Sequence, residues 1–571
     1  MKYVVIFLIA LFSFPVLGQK EFSINVHEMS VPDGLNPLTS KAANAESIED
    51  NIFCRLLEFN RENFQLEPAL AVKKPIIETL TKGKYRGGMS LTYEIRPEAT
   101  WDDGTAVTGM DYLFTIKAVK HQGVKSGGRR LRAEFIADVV INADNPKKFT
   151  IYSSNVMFMA EAISGNSFHI LPEHIYDPQK TLREISIPEL DYDQEEYSEE
   201  VKLFAANFNA AKYATEKEWV IGCGPYKLAE WEGNELIKLE RKANWWGDQV
   251  DNKYLKAYPS SINYHIVPSI GRTFSKFEKG EIDIIRDVPF QRFKAAKESD
   301  DYVKTTEFHN PSQFAYHYLA FNSKNPKLSD KRVREAIASA VNQERIVNEF
   351  FGGEAMKVKT PISPHRMHYN INIKETAYDL EYAKELLAKA GWKDTDGDDV
   401  LDKRIEGKQV KLRLKYNYNK GNVVRKQIGE MLRRNLAEIG IKMDLYPIDF
   451  ADLLKTGNDR TYEIIALAWV NTPGSDDLKN VWHTSSDVAG GGNRVGFGSP
   501  KTDRMIDDIL VTLDEGVRKR IYLELQKEIV AEYPYVFLVV PNQLIMIRKG
   551  FDYPTLGPVS PGFVARWFQQ K

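Results

Sequence analysis

The chain's most conspicuous reactive groups are carboxylates. In WKDTDGDDVLDK, residues 392–403, Asp394, Asp396 and Asp398 alternate around Gly397, and Asp402 follows. Such a cage of oxygens suits a hard cation such as Ca²⁺. The stretch lacks a glutamate at its closing position and its glycine is misplaced for an EF-hand, so the other reading is a plain polar turn. A second candidate is Gly490-Gly491-Gly492-Asn493-Arg494. Glycines let backbone approach a ligand closely, and a guanidinium such as that of Arg494 clamps a carboxylate through two parallel hydrogen bonds. The alternative is a surface loop with a solvated arginine. His365, Arg366 and His368 form a third group. Its two histidines are possible metal ligands, with no third ligand beside them. The sequence contains no HExxH, GxSxG or P-loop, and Val495 stands where a dinucleotide fingerprint needs its third glycine.

Periodicity places these groups on an α/β framework. Leu91, Tyr93 and Ile95 alternate as a strand, Asp102-Asp103-Gly104 turns, and Thr108 caps a helix through Tyr112, Leu113 and Ile116. Val410, Leu412, Leu414 and Tyr416 alternate again. Val424 to Ile439 keeps helical spacing and stops at Gly440, and Ile441, Met443 and Leu445 resume the strand pattern. Strand, helix, strand at this length is a βαβ unit with a parallel pair. Ser329 is expected to cap another helix, with Leu328 and Val333 as a hydrophobic staple, and Asp330 to pair with Arg334 within it. Asp379 caps the next, which ends at Gly391.

At 571 residues the chain exceeds one core and calls for two to four domains. A net charge of −2 gives no reason to expect a nucleic-acid partner. Aromatics reach 11%, with clusters at Trp245-Trp246 and at Tyr316 and Tyr318 that read either as core or as walls of a ligand cleft. Lys2, the apolar run from Tyr3 to Phe12, and Val16-Leu17-Gly18 form an export signal, with Gln19 as the expected first residue of the mature chain. No cysteine follows that run, so no lipid anchor is expected. Cys54 and Cys223 are the only cysteines, and they either pair in an oxidising compartment or remain buried thiols.

Five segments, in order, resemble the blocks of the family 5 extracellular solute-binding proteins, the peptide- and nickel-type receptors of bacterial ABC importers. The first block reads R-x-x-x-x-[FW]-x-D-G-x-x-[LVF]-T-[AG]-x-D, and Arg96, Trp101, Asp103, Gly104, Thr108, Gly109 and Asp111 fit it. The second is Gly222 to Gly247, where Cys223 replaces the usual Thr or Ser and a hairpin turns near Gly233-Asn234. The others are Phe277 to Ile285, Leu319 to Ala355 (with Asn322, Asp330, Arg334, Ala336 and Asn342) and Tyr378 to Trp392.

The resemblance implies an α/β, two-lobed periplasmic binding protein fold of the class C (cluster C) type with an extra N-terminal subdomain. The expected segments are a signal over 1–18, a discontinuous first lobe of 19–60, 210–286 and 537–571, the subdomain over 61–209, and a second lobe over 287–536. Crossing strands are expected after Glu281-Ile282-Asp283 and near Tyr535 to Pro541. Peptide-binding members present a Trp-x-x-Asp whose carboxylate takes the ligand's α-ammonium. Here the corresponding segment is AWVNTPGSDD: Trp469 is present, and Thr472 stands where the Asp belongs. Trp469 is therefore expected to form an apolar wall, Asn471 and Thr472 to offer neutral hydrogen bonds, and Asp476 or Asp477 either to approach the ligand or to begin the next helix. Arg366, Asn493 and Arg494 complete the expected ligand set. The implied function is a monomeric periplasmic receptor that captures a peptide or peptide-like solute, with no cofactor unless Ca²⁺ binds, and delivers it to an inner-membrane permease. The alternatives are an exported sensor module and an exported hydrolase on the same fold.

Overall fold

Two sheets organise the chain in the computed structural model, which describes residues 22–191, 197–471, 473–474, 476–488 and 490–571. The expected export signal, Gln19 and Thr472 lie outside those residues. Seven strands make the first sheet, in the order Thr306–His309, Ile545–Arg548, Ile284–Ile285, Ser23–Glu28, Ser261–Ile266, Leu236–Arg241 and Tyr226–Glu232. Six make the second, in the order Ala355–Lys357, Tyr535–Pro541, Ala315–Phe321, Ile464–Val470, Arg413–Asn419 and Lys442–Ile448. A four-stranded antiparallel sheet (Ile76–Thr79, Met89–Glu94, Lys148–Ser153, Asp138–Ile141) lies within residues 61–209. It is not a separate body: Leu91, Tyr93 and Phe149 share one continuous apolar core with Ile24, Val26 and Ile262 of the first sheet.

The lobes are joined by a single two-stranded ribbon. Thr306–His309 runs antiparallel to Ile545–Arg548 in the first sheet. The pairing continues through a bridge between Ser312 and Asn542 and into the second sheet, where His317 faces Val539 and Ala320 faces Tyr535. Gln313 N–H donates to the Pro541 carbonyl and Gln543 N–H to that of Pro311, each at 2.8 Å. The chain therefore crosses at 310–314 and 542–544. This corrects the expected boundaries at 286 and 537. The apolar run Ile282 to Val288 mimics a crossing strand, yet only Ile284–Ile285 pair before helix Phe290–Lys297 begins, and Phe293 and Ala296 pack on Leu544 and Met546 of the first lobe. Residues 537–541 remain in the second sheet.

The motif residues turn out to fasten backbone. Thr108 Oγ1 accepts from Met110 N–H while Asp111 accepts from Thr108 N–H at 2.8 Å, a reciprocal cap for helix Gly109–Lys120. Gly222 and Gly224 lie against the Ile52 carbonyl, where an added Cβ would sit 2.2 and 2.7 Å from its oxygen. Trp245 and Trp246 both donate to the Cys223 carbonyl at 2.8 Å, so this aromatic pair is core. Strands Arg413–Asn419 and Lys442–Ile448 are parallel across helix Val423–Ala437. Helix Leu380–Lys389 is capped by Asp379.

Two local expectations need correction. Asp330, not Ser329, caps helix Lys331–Ser339, because its carboxylate accepts from Arg332 N–H. Arg334 does not pair with Asp330. Its guanidinium, 5% exposed, reaches the carbonyls of Leu328, Ser329, Glu532 and Tyr533. Cys54 and Cys223 are free, buried thiols, and burial together with the neighbouring Cys54 pushes the Cys223 thiol far up.

Candidate ligand cleft

Strand Ile464–Val470 carries the candidate site. Along one side it pairs with Ala315–Phe321 at every residue. Along the other it meets Arg413–Asn419 only at Ile464 and Ile465. Its last residues thus leave the sheet with one edge open among the described residues, and Val470 is 75% exposed. Trp469 lies parallel to Tyr318 at 6.3 Å, and Tyr318 stacks on Tyr535 at 4.2 Å. The indole N–H of Trp469 donates to the Tyr535 hydroxyl. Tyr318 and Tyr535, both buried, are core beneath Trp469, and Tyr535 joins Tyr318 from 217 positions away in the sequence, with no local signal to announce it.

The first lobe faces this strand end closely. Phe64 stacks on Phe314 at 5.0 Å. Phe158 N–H donates to the Leu510 carbonyl at 2.9 Å, and the Arg518 guanidinium sits 4.4 Å over the Phe158 ring. A Cβ on Gly474 would lie 3.4 Å from Phe59 and 3.6 Å from Ala162. The lobes are in contact, and the subdomain supplies part of that contact.

Ionic groups near the strand end are unequally matched. Asp476, its side chain 4% exposed, accepts from Arg366 Nε at 3.2 Å and from His368 Nε2 at 2.7 Å. Burial pushes its carboxyl up, but the Arg366 guanidinium and His368 outweigh this and hold it down at about 2. Arg366 also donates to the Pro473 carbonyl and covers the Phe314 ring at 5.0 Å. Both residues are thus committed to each other, a pairing that neither reading of Asp476, as a ligand contact or as the start of the next helix, included. Asp477 precedes helix Leu478–Trp482 and accepts from Asn480. His365 bonds to Ser312, so the two histidines do not converge on a metal.

Arg494 stands differently. Its guanidinium lies 5.9 Å over the Trp469 ring and its Nε is buried without a hydrogen-bond partner. No carboxylate pairs with it among the described residues. Asn471 Nδ2 is likewise buried and unpartnered. Asn493 has to be withdrawn from the ligand set. It is fully buried, and its amide is consumed by the His483 and Phe497 carbonyls and Phe497 N–H, which fixes the loop that presents Arg494.

In the acidic loop the aspartates already have partners. Asp394, Asp396 and Asp398 do gather within 4.8 Å, but Lys411 Nζ bonds to both Asp396, at 2.7 Å, and Asp398. Asp394 accepts from Gly397 and Asp399 N–H. Asp402 faces away, bonded to Thr395 and Gln409. An ammonium already serves as the cation. Millimolar Ca²⁺ is therefore expected to leave the melting temperature unchanged in a thermal scan, and a saturable rise would contradict this.

In the first lobe a depression is lined by Glu28, Asp50, Arg61, Tyr254 and Arg566. Arg286 holds Glu28 at 2.6 Å, Arg55 and His169 hold Asp50, and Arg566 donates to the Asp50 carbonyl. Nothing in their spacing singles these residues out in the sequence.

Residues 65–491 match the family model described as bacterial extracellular solute-binding proteins, family 5 Middle. The chain belongs to this family. Members are binding proteins rather than enzymes. The oligopeptide-binding protein AppA of Bacillus subtilis is 25% identical over 531 residues, covering 92% of this chain and 88% of its own. The dipeptide-binding protein of Escherichia coli is 22% identical, covering 78% and 75%. Among solved structures, AppA in complex with a nonapeptide superposes with a TM-score of 0.72 at 23% identity, over 97% of this chain and 99% of that one. NikA from Brucella suis with Fe(III)-EDTA gives 0.76 at 19%, over 96% and 100%. These superpositions confirm the two-lobed α/β fold for this family 5 chain. Among the described residues no helix is long and apolar enough to cross a membrane.

Proposed function

We propose that this family 5 protein captures a peptide or peptide-like solute between its lobes and hands it to the permease of an ABC importer. The observation that carries this reading is the open edge of Ile464–Val470 beside Trp469, which Tyr318 and Tyr535 back from the core. An extended peptide adds to such an edge through main-chain hydrogen bonds, while side chains enter loosely matched pockets. Trp469, Asn471, Arg494 and the first-lobe aromatics are the proposed contacts. Ligand touches both lobes only when they meet, so binding favours closure. The names of the relatives AppA and the dipeptide-binding protein support the same reading. The test is a thermal scan with pooled di- to pentapeptides. Mass action requires a rise in melting temperature that grows with concentration, and no rise from any pool sinks the reading.

Export to the periplasm belongs to this proposal. Mass spectrometry of the native protein is expected to find a chain that starts at or near Gln19 and carries no lipid. An intact Met1 would contradict it.

A further inference from the structure

The charges around Trp469 bear on the ligand's chemistry. In sequence, Asp476 is the first carboxylate after Thr472, the position where peptide receptors present theirs, and Arg366 and His368 already hold it. An ammonium placed there would have to displace a buried guanidinium. Arg494 is the opposite case. Its side chain runs between Gly457, whose added Cβ would lie 3.4 Å from Cδ, and the Trp469 ring. Around it stand the phenols of Tyr318, Tyr462 and Tyr535. A half-buried cation in an aromatic frame, with one N–H unsatisfied and no acid beside it, is costly until an anion arrives. Asn471 follows the end of that strand, two residues beyond Trp469, and it adds a second buried donor without an acceptor. Both unmet groups are donors, and a carboxylate is acceptor-only.

We infer that the cleft selects an anionic, peptide-like solute, with its carboxylate on Arg494 and Asn471 and its amino end unread. N-acylated peptides satisfy this chemistry as well as free ones. The inference rests on the peptide reading above and adds to it the ligand's charge and the end that is recognised.

The probe is a random tripeptide library without Asp, Glu, Lys, Arg or His, so that its only charges are terminal, prepared in four forms: free, N-acetylated, C-amidated, and capped at both ends. Calorimetry on the full mature protein is expected to show the acetylated pool binding as tightly as the free pool. Amidation should weaken binding about tenfold to a hundredfold, the loss of a charged hydrogen bond. Arg494→Gln should erase the difference between the carboxylate and amide forms, and Arg494→Lys should keep part of it. A hundredfold loss on acetylation, equal binding of carboxylate and amide forms, or a preference that survives Arg494→Gln would each overturn the inference while leaving the peptide reading in place. Failure of all four pools to bind would overturn both. The end-group comparison on the unmutated protein decides the matter alone should Arg494→Gln not fold.

Discussion

Asp476→Asn is expected to destabilise the second lobe by about 3–5 kcal/mol, the cost of stripping a buried ion of its partner. Arg366 is 10% exposed and Asp476 4% by side chain, so the pair is far from the surface regime. The isosteric amide keeps the packing and removes the charge that faces the guanidinium, whose bond to the Pro473 carbonyl and place over the Phe314 ring do not replace it. Urea unfolding measures this. A loss below about 1 kcal/mol, the value of a surface pair, would mean that Asp476 is not a structural carboxylate and is free to meet ligand after all. The pH dependence carries the same signature. The carboxyl is held at about 2 against an ordinary 3.8. A depressed folded value stabilises above 3.8, and that contribution is lost as pH falls toward about 2. Asp476→Asn should lack that part of the acid limb.

Arg334→Ala should cost more than about 3 kcal/mol. The guanidinium makes four bonds to carbonyls, each a charge-assisted bond worth about 1.5–3 kcal/mol, and the truncation also opens a hole. Two of those carbonyls, Glu532 and Tyr533, immediately precede strand Tyr535–Pro541, which becomes the interlobe ribbon. The other two, Leu328 and Ser329, lead into helix Lys331–Ser339. Arg334 thus ties the base of the hinge strand to the helix packed behind it. Arg334→Lys keeps the charge, but a lysine presents no planar fork able to span four acceptors, so it should recover only a minor part of the loss. A small effect of Arg334→Ala, measured by calorimetric unfolding, would show that other bonds hold this corner.

Much of the framework was legible because it obeys local rules. The βαβ unit around Val423–Ala437 shows its period and its stop at Gly440, and Thr108 and Asp379 show their caps. The crossings were misplaced because an apolar run states burial and not partnership. Ile282 to Val288 and Val536 to Val540 look alike, and only pairing with Ile545–Arg548 or Ala315–Phe321 separates them. The site shows the same division. Trp469 and Arg494 were legible as residue types, whereas the capture of Asp476 by Arg366 and His368 joins positions 108–110 apart, and the burial of Asn493 depends on His483 and Phe497. Lys411 answers two of the aspartates because strand Lys408–Lys411 folds back on Asp402–Ile405, a hairpin that a count of acidic residues does not reveal.

A peptide-like solute held between the lobes is tested most directly by mass spectrometry of what the protein carries. Protein purified without refolding would be intact in the first spectrum and denatured in the second, and the released molecule fragmented. The expected result is one or more molecules whose fragments differ by amino-acid residues and which end in a free carboxylate. Release of a metal chelate, a haem or a sugar, with no peptide bond among the fragments, would contradict the account.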